Sequence, residues 1–114
     1  MPLDDEQKFR VGQRFQIEFQ AALGPDASPR RTGLLGRGPF ALALLNTYKY
    51  AAGLVHATEP GASLDVMDVV LDMQIESVKR GISPDDFEII RSVLEPVLWK
   101  LSNDWPALVS PEDA

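Results

Sequence analysis

Apolar residues recur at the spacing of an α-helix through residues 63–103. Two helices are predicted there, because helix start and stop residues flank a short break in the middle. Ser63 can accept a bond from a free N–H of the first helix, and Gly81 suits the left-handed residue that follows its end. Ser83 and Pro84 then supply a cap and a first helical residue for the second helix. The short break predicts a C-terminal hairpin of two antiparallel helices.

Residues 4–23 carry apolar side chains that fit two different periods. The alternation of apolar and polar residues from Phe9 to Phe19 is typical of a half-buried strand, whereas Val11, Phe15 and Phe19 also recur at helical spacing. We predict a helix, because no second convincing strand occurs elsewhere in the chain. A lone strand would leave its backbone unpaired unless it met its own copy in a dimer.

Residues 24–38 are rich in glycine, proline and serine, which predicts a long loop. Pro39 is suited to the first position of the next helix, which runs to about His56. This helix is apolar on most of its sides, so we expect it to lie centrally, flanked by the C-terminal hairpin and the first helix.

The chain length of 114 residues and the mass of 12.6 kDa fit one domain, spanning residues 1–114. The expected architecture is all-α, with about four helices and a frayed tail at residues 107–114. Its apolar and aromatic side chains exceed what one narrow helix seam can bury. This surplus predicts a symmetric homodimer, since such pairs are the commonest oligomer.

The formal net charge is −6, which would repel phosphate backbones and excludes direct nucleic-acid binding through the whole surface. Residues 1–60 hold seven Lys/Arg against six Asp/Glu, and residues 61–114 hold four against eleven. The two halves therefore differ in sign, and the second half is suited to a basic partner. The absence of cysteine and the acidic N-terminus indicate a cytoplasmic protein, and no apolar run is long enough for a membrane span.

Four carboxylates lie along one face of the third predicted helix: Asp65, Asp68, Asp72 and Glu76. One interpretation is a solvated face, opposite an apolar side formed by Met67, Val70, Leu71 and Val78. The other is a docking stripe for a basic protein surface. A metal site is not expected, because carboxylate metal sites on helices pair their glutamates with histidines, and His56 is the single histidine.

Two further groups of residues are candidates for binding. Ile17, Tyr50 and Trp105 fall off the main apolar faces, so an interface with a partner is one interpretation and core packing is the other. The loop carries three arginines before a helix N-terminus, which suits a small anion: Arg30, Arg31 and Arg37. The same loop lacks the Gly-Lys-Ser/Thr ending of a nucleotide-binding loop, so the other interpretation is a plain flexible connection.

Catalytic machinery is not evident in the sequence. Nothing near His56 in the sequence completes a triad, and no serine has the Gly-x-Ser-x-Gly setting of an exposed nucleophile. A histidine at a helix C-terminus also interacts favourably with the helix dipole without any further role. We therefore expect a protein that is not an enzyme and that needs no cofactor or metal.

In size, acidity and helical make-up the chain resembles the small helical antiactivators that sequester quorum-sensing transcription factors of the LuxR type. The resemblance rests on no shared motif, so no binding residue is carried over from that family. It implies a small regulatory or inhibitory protein that controls transcription by binding another protein. The alternatives are a helical domain, with or without enzymatic activity, that binds an anion through its arginine loop, and an acidic mimic of nucleic acid.

Overall fold

The computed structural model describes residues 2–23 and 38–110 of the chain. These residues contain no strand, and they form five helices: α1 (Asp5–Leu23), α2 (Gly38–His56), α3 (Val66–Lys79), α4 (Pro84–Asn103) and α5 (Trp105–Val109). The all-α prediction is confirmed, and residues 5–23 are helical as we favoured over a strand. The arginine loop with Arg30, Arg31 and Arg37 lies outside the described residues, as do residues 111–114.

The fourth helix provides the largest share of the core, because one side of it is buried along its whole length. It packs against α1, α2 and α3. Its buried apolar side chains are Phe87, Ile90, Leu94, Val97, Leu98 and Leu101. The helix continues through Pro96 even though proline cannot donate the backbone bond of a helix interior. Burial of this side, worth about 1.5–3 kcal/mol per large apolar side chain, outweighs that lost bond.

The first two helices are joined by an aromatic cluster around Tyr48. The Tyr48 ring stacks on Phe19 at 4.3 Å between ring centroids and meets Phe15 in a tilted arrangement at 4.8 Å. Both phenylalanines are buried, and the Tyr48 side chain is partly buried against them. Burial raises the pKa of the Tyr48 hydroxyl. As expected, α2 contacts α1, α3 and α4.

The turn between α3 and α4 is defined by backbone and side-chain bonds. Gly81 has a φ of 77°, and the N–H groups of Gly81 and Ile82 donate to the carbonyls of Val78 and Ser77 at 3.1 and 2.9 Å. These two backbone hydrogen bonds form a Schellman motif, which needs a residue that tolerates the left-handed conformation. The Ser83 hydroxyl then accepts a bond from the Asp86 N–H at 3.1 Å, as the sequence predicted.

The start of α3 differs from the prediction. The cap is Asp65, whose carboxylate accepts a bond from the Asp68 N–H at 3.1 Å, and Ser63 lies before the helix with an exposed side chain. Aspartate and serine cap helices about equally well, so the choice depends on where the backbone turns. Leu64 is 3 % exposed and packs into the core, and this anchoring lets the helix begin two residues later than expected.

The last described helix extends into the segment that the sequence predicted to fray. We predicted fraying from residue 107, but α5 continues to Val109, which is 3 % exposed. The Arg10 Nε donates to the Leu108 carbonyl at 2.8 Å, and the Gln7 Nε2 donates to the Val109 carbonyl at 2.9 Å. These bonds from α1 satisfy carbonyls that the last turn of a helix leaves free.

Candidate interaction surface

The third helix has three distinct faces. Its buried face packs on α2 and α4 and consists of Val66, Val69, Val70, Met73 and Ser77. At about 100° of rotation per residue, the remaining apolar residues and the acidic residues fall on two separate faces outside the core. An amphipathic helix normally has one apolar face. The second apolar face of α3 is therefore the feature that needs an explanation.

This second apolar face is exposed to solvent. Four residues spaced by four, four and three positions form it, and we call them the apolar row: Met67, Leu71, Ile75 and Val78. Their exposed fractions are 51, 54, 47 and 71 % respectively. The expectation that Met67, Leu71 and Val78 share a single apolar side with Val70 is wrong, because Val70 alone of these four is buried. Contiguous exposed apolar side chains are typical of surfaces that bind another molecule.

The four carboxylates form an acidic row beside the apolar row: Asp65, Asp68, Asp72 and Glu76. The three aspartates are exposed, and Asp65 also caps the helix. The pKa of the Asp68 carboxyl is raised, chiefly by the negative charge of Asp65 and to a smaller degree by that of Asp72. Glu76 differs, since it is partly buried and pairs with the Arg80 Nε at 3.1 Å. Negative charge without an ion-pair partner among the described residues is therefore concentrated in the three aspartates at the N-terminal side of the row.

The apolar row ends at a pocket beside the turn between α3 and α4. This turn pocket has a volume of about 350 Å³, and the two helices line it together with the residues that join them. Its lining residues are Gln74, Ser77, Val78, Gly81, Ile82, Pro84, Phe87 and Glu88. Val78 belongs to both features, so the row and the pocket form one continuous surface.

The other predicted interface residues belong neither to the apolar row nor to the turn pocket. Ile17 is 53 % exposed but lies on α1. Tyr50 is partly buried against the core and lines a small crevice with Glu76 and Arg80, on the side where α2 meets α3. Of the predicted set, Tyr50 and Glu76 are thus brought together, and Ile17 stands apart from both.

Trp105 belongs to the core, which corrects the premise that it falls off the main faces. It is 2 % exposed and is the largest fully buried side chain among the described residues. Its indole Nε1 is buried without a hydrogen-bond partner in the described part of the chain. The ring also lines a cleft of about 590 Å³ together with residues 60–63 and the start of α5. The proline at position 106 lies in the first turn of the short α5, where its missing N–H costs no helix bond.

Residues with the chemistry for catalysis or metal binding are scattered. Within residues 2–23 and 38–110, no three His, Cys, Asp or Glu side chains are grouped closely enough to hold a metal ion. His56 lies between α1 and α2, and its Nε2 is buried without a hydrogen-bond partner among these described residues. The same ranges contain no helix that is both long enough and apolar enough to cross a membrane.

The apolar row was missed at the sequence level even though its spacing is visible there. Both apolar faces of α3 recur at helical intervals, and periodicity alone does not show which of two faces meets the core. The number of apolar residues in α3 was the signal that could have revealed the second face. These residues cover more of the helix circumference than one core contact can bury.

Comparison with protein-family models, curated proteins and solved structures finds no match for this chain. The surface on α3 is therefore interpreted from its own geometry and charge.

Proposed function

We propose that this protein is a regulator that acts by binding another protein through α3. The observation that supports the proposal is the apolar row, an exposed strip of side chains on a helix whose other apolar face already fills the core. Complete burial of such side chains is worth about 1.5–3 kcal/mol each, and the row members are already partly covered. A micromolar complex has a binding free energy of about 8 kcal/mol. The four side chains together supply a useful share of it.

The acidic row selects the kind of partner. Three exposed aspartates beside an apolar strip repel phosphates and anionic lipid surfaces, and they attract Lys and Arg. A helix that carries apolar residues along one side and basic residues along the next would match both rows. Basic surfaces of this kind are common in proteins that bind DNA. Sequestration of a transcription factor, as the antiactivator resemblance implies, is one form of the proposed function.

A second copy of the chain is a poorer match for the same surface, because each copy carries a net charge of −6 and two copies repel each other as they approach. The contact itself is less decisive. Two α3 helices that pack antiparallel about a two-fold axis would set the aspartates of one copy opposite Lys79 and Arg80 of the other.

The test is capture of partners from cells of the native host with matched variants. Leu71→Glu and Ile75→Glu place charge in the apolar row, and Phe9→Glu places the same charge on α1 at a residue that is 68 % exposed. We expect a captured protein that is lost with either α3 variant and kept with Phe9→Glu. Circular dichroism and melting temperature show that the variants remain folded.

Two results would overturn the proposal. One is a partner that survives both α3 variants and is lost with Phe9→Glu, which would place the binding surface on α1. The other is a wild-type protein that captures nothing but its own copies, with a dimer mass in light scattering that Leu71→Glu converts to a monomer mass.

A further inference from the structure

The turn pocket is continuous with the apolar row and lies at its C-terminal end. Val78, the last member of the row, is 71 % exposed and also forms part of the pocket wall. Phe87 is 4 % exposed and Ile82 is partly buried, so the inner part of the pocket is apolar. A partner that covers the row therefore reaches this pocket next.

The pocket is fixed in shape before any partner arrives. The backbone bonds from Gly81 and Ile82 hold one wall, and the Ser83 cap holds the first turn of α4 at the other. A preformed pocket needs little ordering when a side chain enters it, and such pockets hold the residues that dominate binding energy at interfaces. The volume of about 350 Å³ is ample for one large apolar or aromatic side chain.

Charge along α3 is polarised. The three aspartates, which have no ion-pair partner in the described part of the chain, lie at its N-terminal side. Glu76 is instead paired with Arg80, and Lys79 lies in the last turn. From Asp68 to Val78 there are ten positions, which correspond to about 15 Å along a helix. A cationic group and an apolar anchor that use both ends of the surface must be separated by this distance.

From this arrangement we infer that the partner presents one helix with a basic group at one end and an apolar anchor at the other. Its basic residues lie over Asp65, Asp68 and Asp72, and a single large apolar side chain about ten residues away enters the turn pocket. A helix with basic residues along its whole length would meet Lys79 and Arg80 at the pocket end. This inference rests on the proposed function and specifies the recognition motif.

Two synthetic peptides of identical composition test the inference. The spaced peptide is an alanine-rich helix with four Arg/Lys residues in its first two turns and one Trp ten residues after the centre of that cluster. The clustered peptide exchanges this Trp with an Ala inside the basic cluster. Fluorescein anisotropy at low salt gives each Kd, and ¹⁵N chemical shifts identify the residues that each peptide contacts.

We expect the spaced peptide to bind at least tenfold more tightly than the clustered one. Val78→Glu should remove most of this advantage and leave the clustered peptide unchanged, and Phe9→Glu should affect neither. The double variant Asp68→Asn/Asp72→Asn should weaken both peptides.

The outcomes separate the motif from the function. Equal affinities of the two peptides, both abolished by Leu71→Glu, would overturn the motif and leave α3 as the binding surface. Unchanged binding of the spaced peptide to Val78→Glu would also overturn the motif. If neither peptide shifts any α3 resonance at millimolar concentration, the motif is wrong and the α3 surface loses its support as well.

Discussion

His56 and Gly12 face each other across the contact between α1 and α2. A β-carbon built at position 12 would lie 3.3 Å from the His56 Nε2, so a glycine leaves just enough room for the imidazole. The Nε2 is buried there and has no hydrogen-bond partner in the part of the chain that the structure describes. A side chain larger than hydrogen at position 12 would therefore press on the imidazole.

Replacement of Gly12 by alanine should have an effect that depends on His56. Alanine in a helix interior is favoured over glycine by about 1 kcal/mol, but its β-carbon would press on the imidazole. We expect Gly12→Ala to stabilise the His56→Ala variant by about 1 kcal/mol and the wild type by less. Urea unfolding of the four proteins measures the coupling, expected at about 0.5 kcal/mol or more. Equal effects in both backgrounds would contradict the contact.

The stability of the fold should fall as the solution becomes mildly acidic. Burial lowers the pKa of His56 below its usual 6.5, and the positive charge of Lys8 lowers it further, against a smaller opposite effect of a hydrogen bond to the Lys8 backbone. The unfolded chain therefore binds a proton at a higher pH than the folded chain. The contribution of neutral His56 to the free energy of unfolding is fully present above pH 6.5 and is lost as the pH falls below that value.

Melting temperatures at pH 7.5, 6.5 and 5.5 check this prediction. His56→Gln keeps a polar side chain of similar reach that does not titrate, so its melting temperature should change less over the same range. A wild-type curve that is flat, or that rises towards pH 5.5, would show that His56 is not held neutral.

Asp65 should contribute to stability through its cap and not through its charge. Asp65→Ala removes the acceptor for the Asp68 N–H and should cost about 1 kcal/mol. Asp65→Asn keeps an oxygen there and also relieves the repulsion with Asp68, so its free energy of unfolding should stay within about 0.5 kcal/mol of wild type. Ser63→Ala should likewise leave the free energy of unfolding within about 0.5 kcal/mol of wild type. Chemical denaturation distinguishes these variants, and a larger loss for Ser63→Ala than for Asp65→Ala would restore Ser63 as the cap.

Arg10 should hold α5 against α1. Its guanidinium donates to the carbonyls of Leu108 and Val109 at 2.8 and 3.3 Å, and Arg10→Met keeps the apolar stem while removing the donors. Bonds to a charged group are worth about 1.5–3 kcal/mol when buried, and less at this partly exposed site. We expect faster amide exchange at residues 108–110 and no change within α3.

Arg80→Met is the matched control for this experiment. It removes an arginine that pairs with Glu76 on α3, so amide exchange in α5 should remain as in wild type. Faster exchange at residues 108–110 in both variants would show that the loss of any surface arginine loosens the chain end.

The ends of the helices followed from local chemistry that the sequence displays directly. Gly81 and Ser83 were predicted as the end and the start of two helices, because a left-handed residue and a side-chain cap act within a few positions of the backbone groups they satisfy. The exception is the cap of α3. Its place depends on Leu64, which is anchored by residues distant in sequence.

The sequence by itself determined that the chain is helical and that α3 carries both apolar and acidic residues. Tertiary packing decided which of them meet the core. Val70 and Met67 lie on the same helix, yet Val70 is buried and Met67 is 51 % exposed, because α2 and α4 can cover one side of α3 and not two. Packing also placed Trp105 inside through its contacts with distant segments. Periodicity records how often apolar residues recur along a helix, and the neighbouring helices determine which of them remain free to bind a partner.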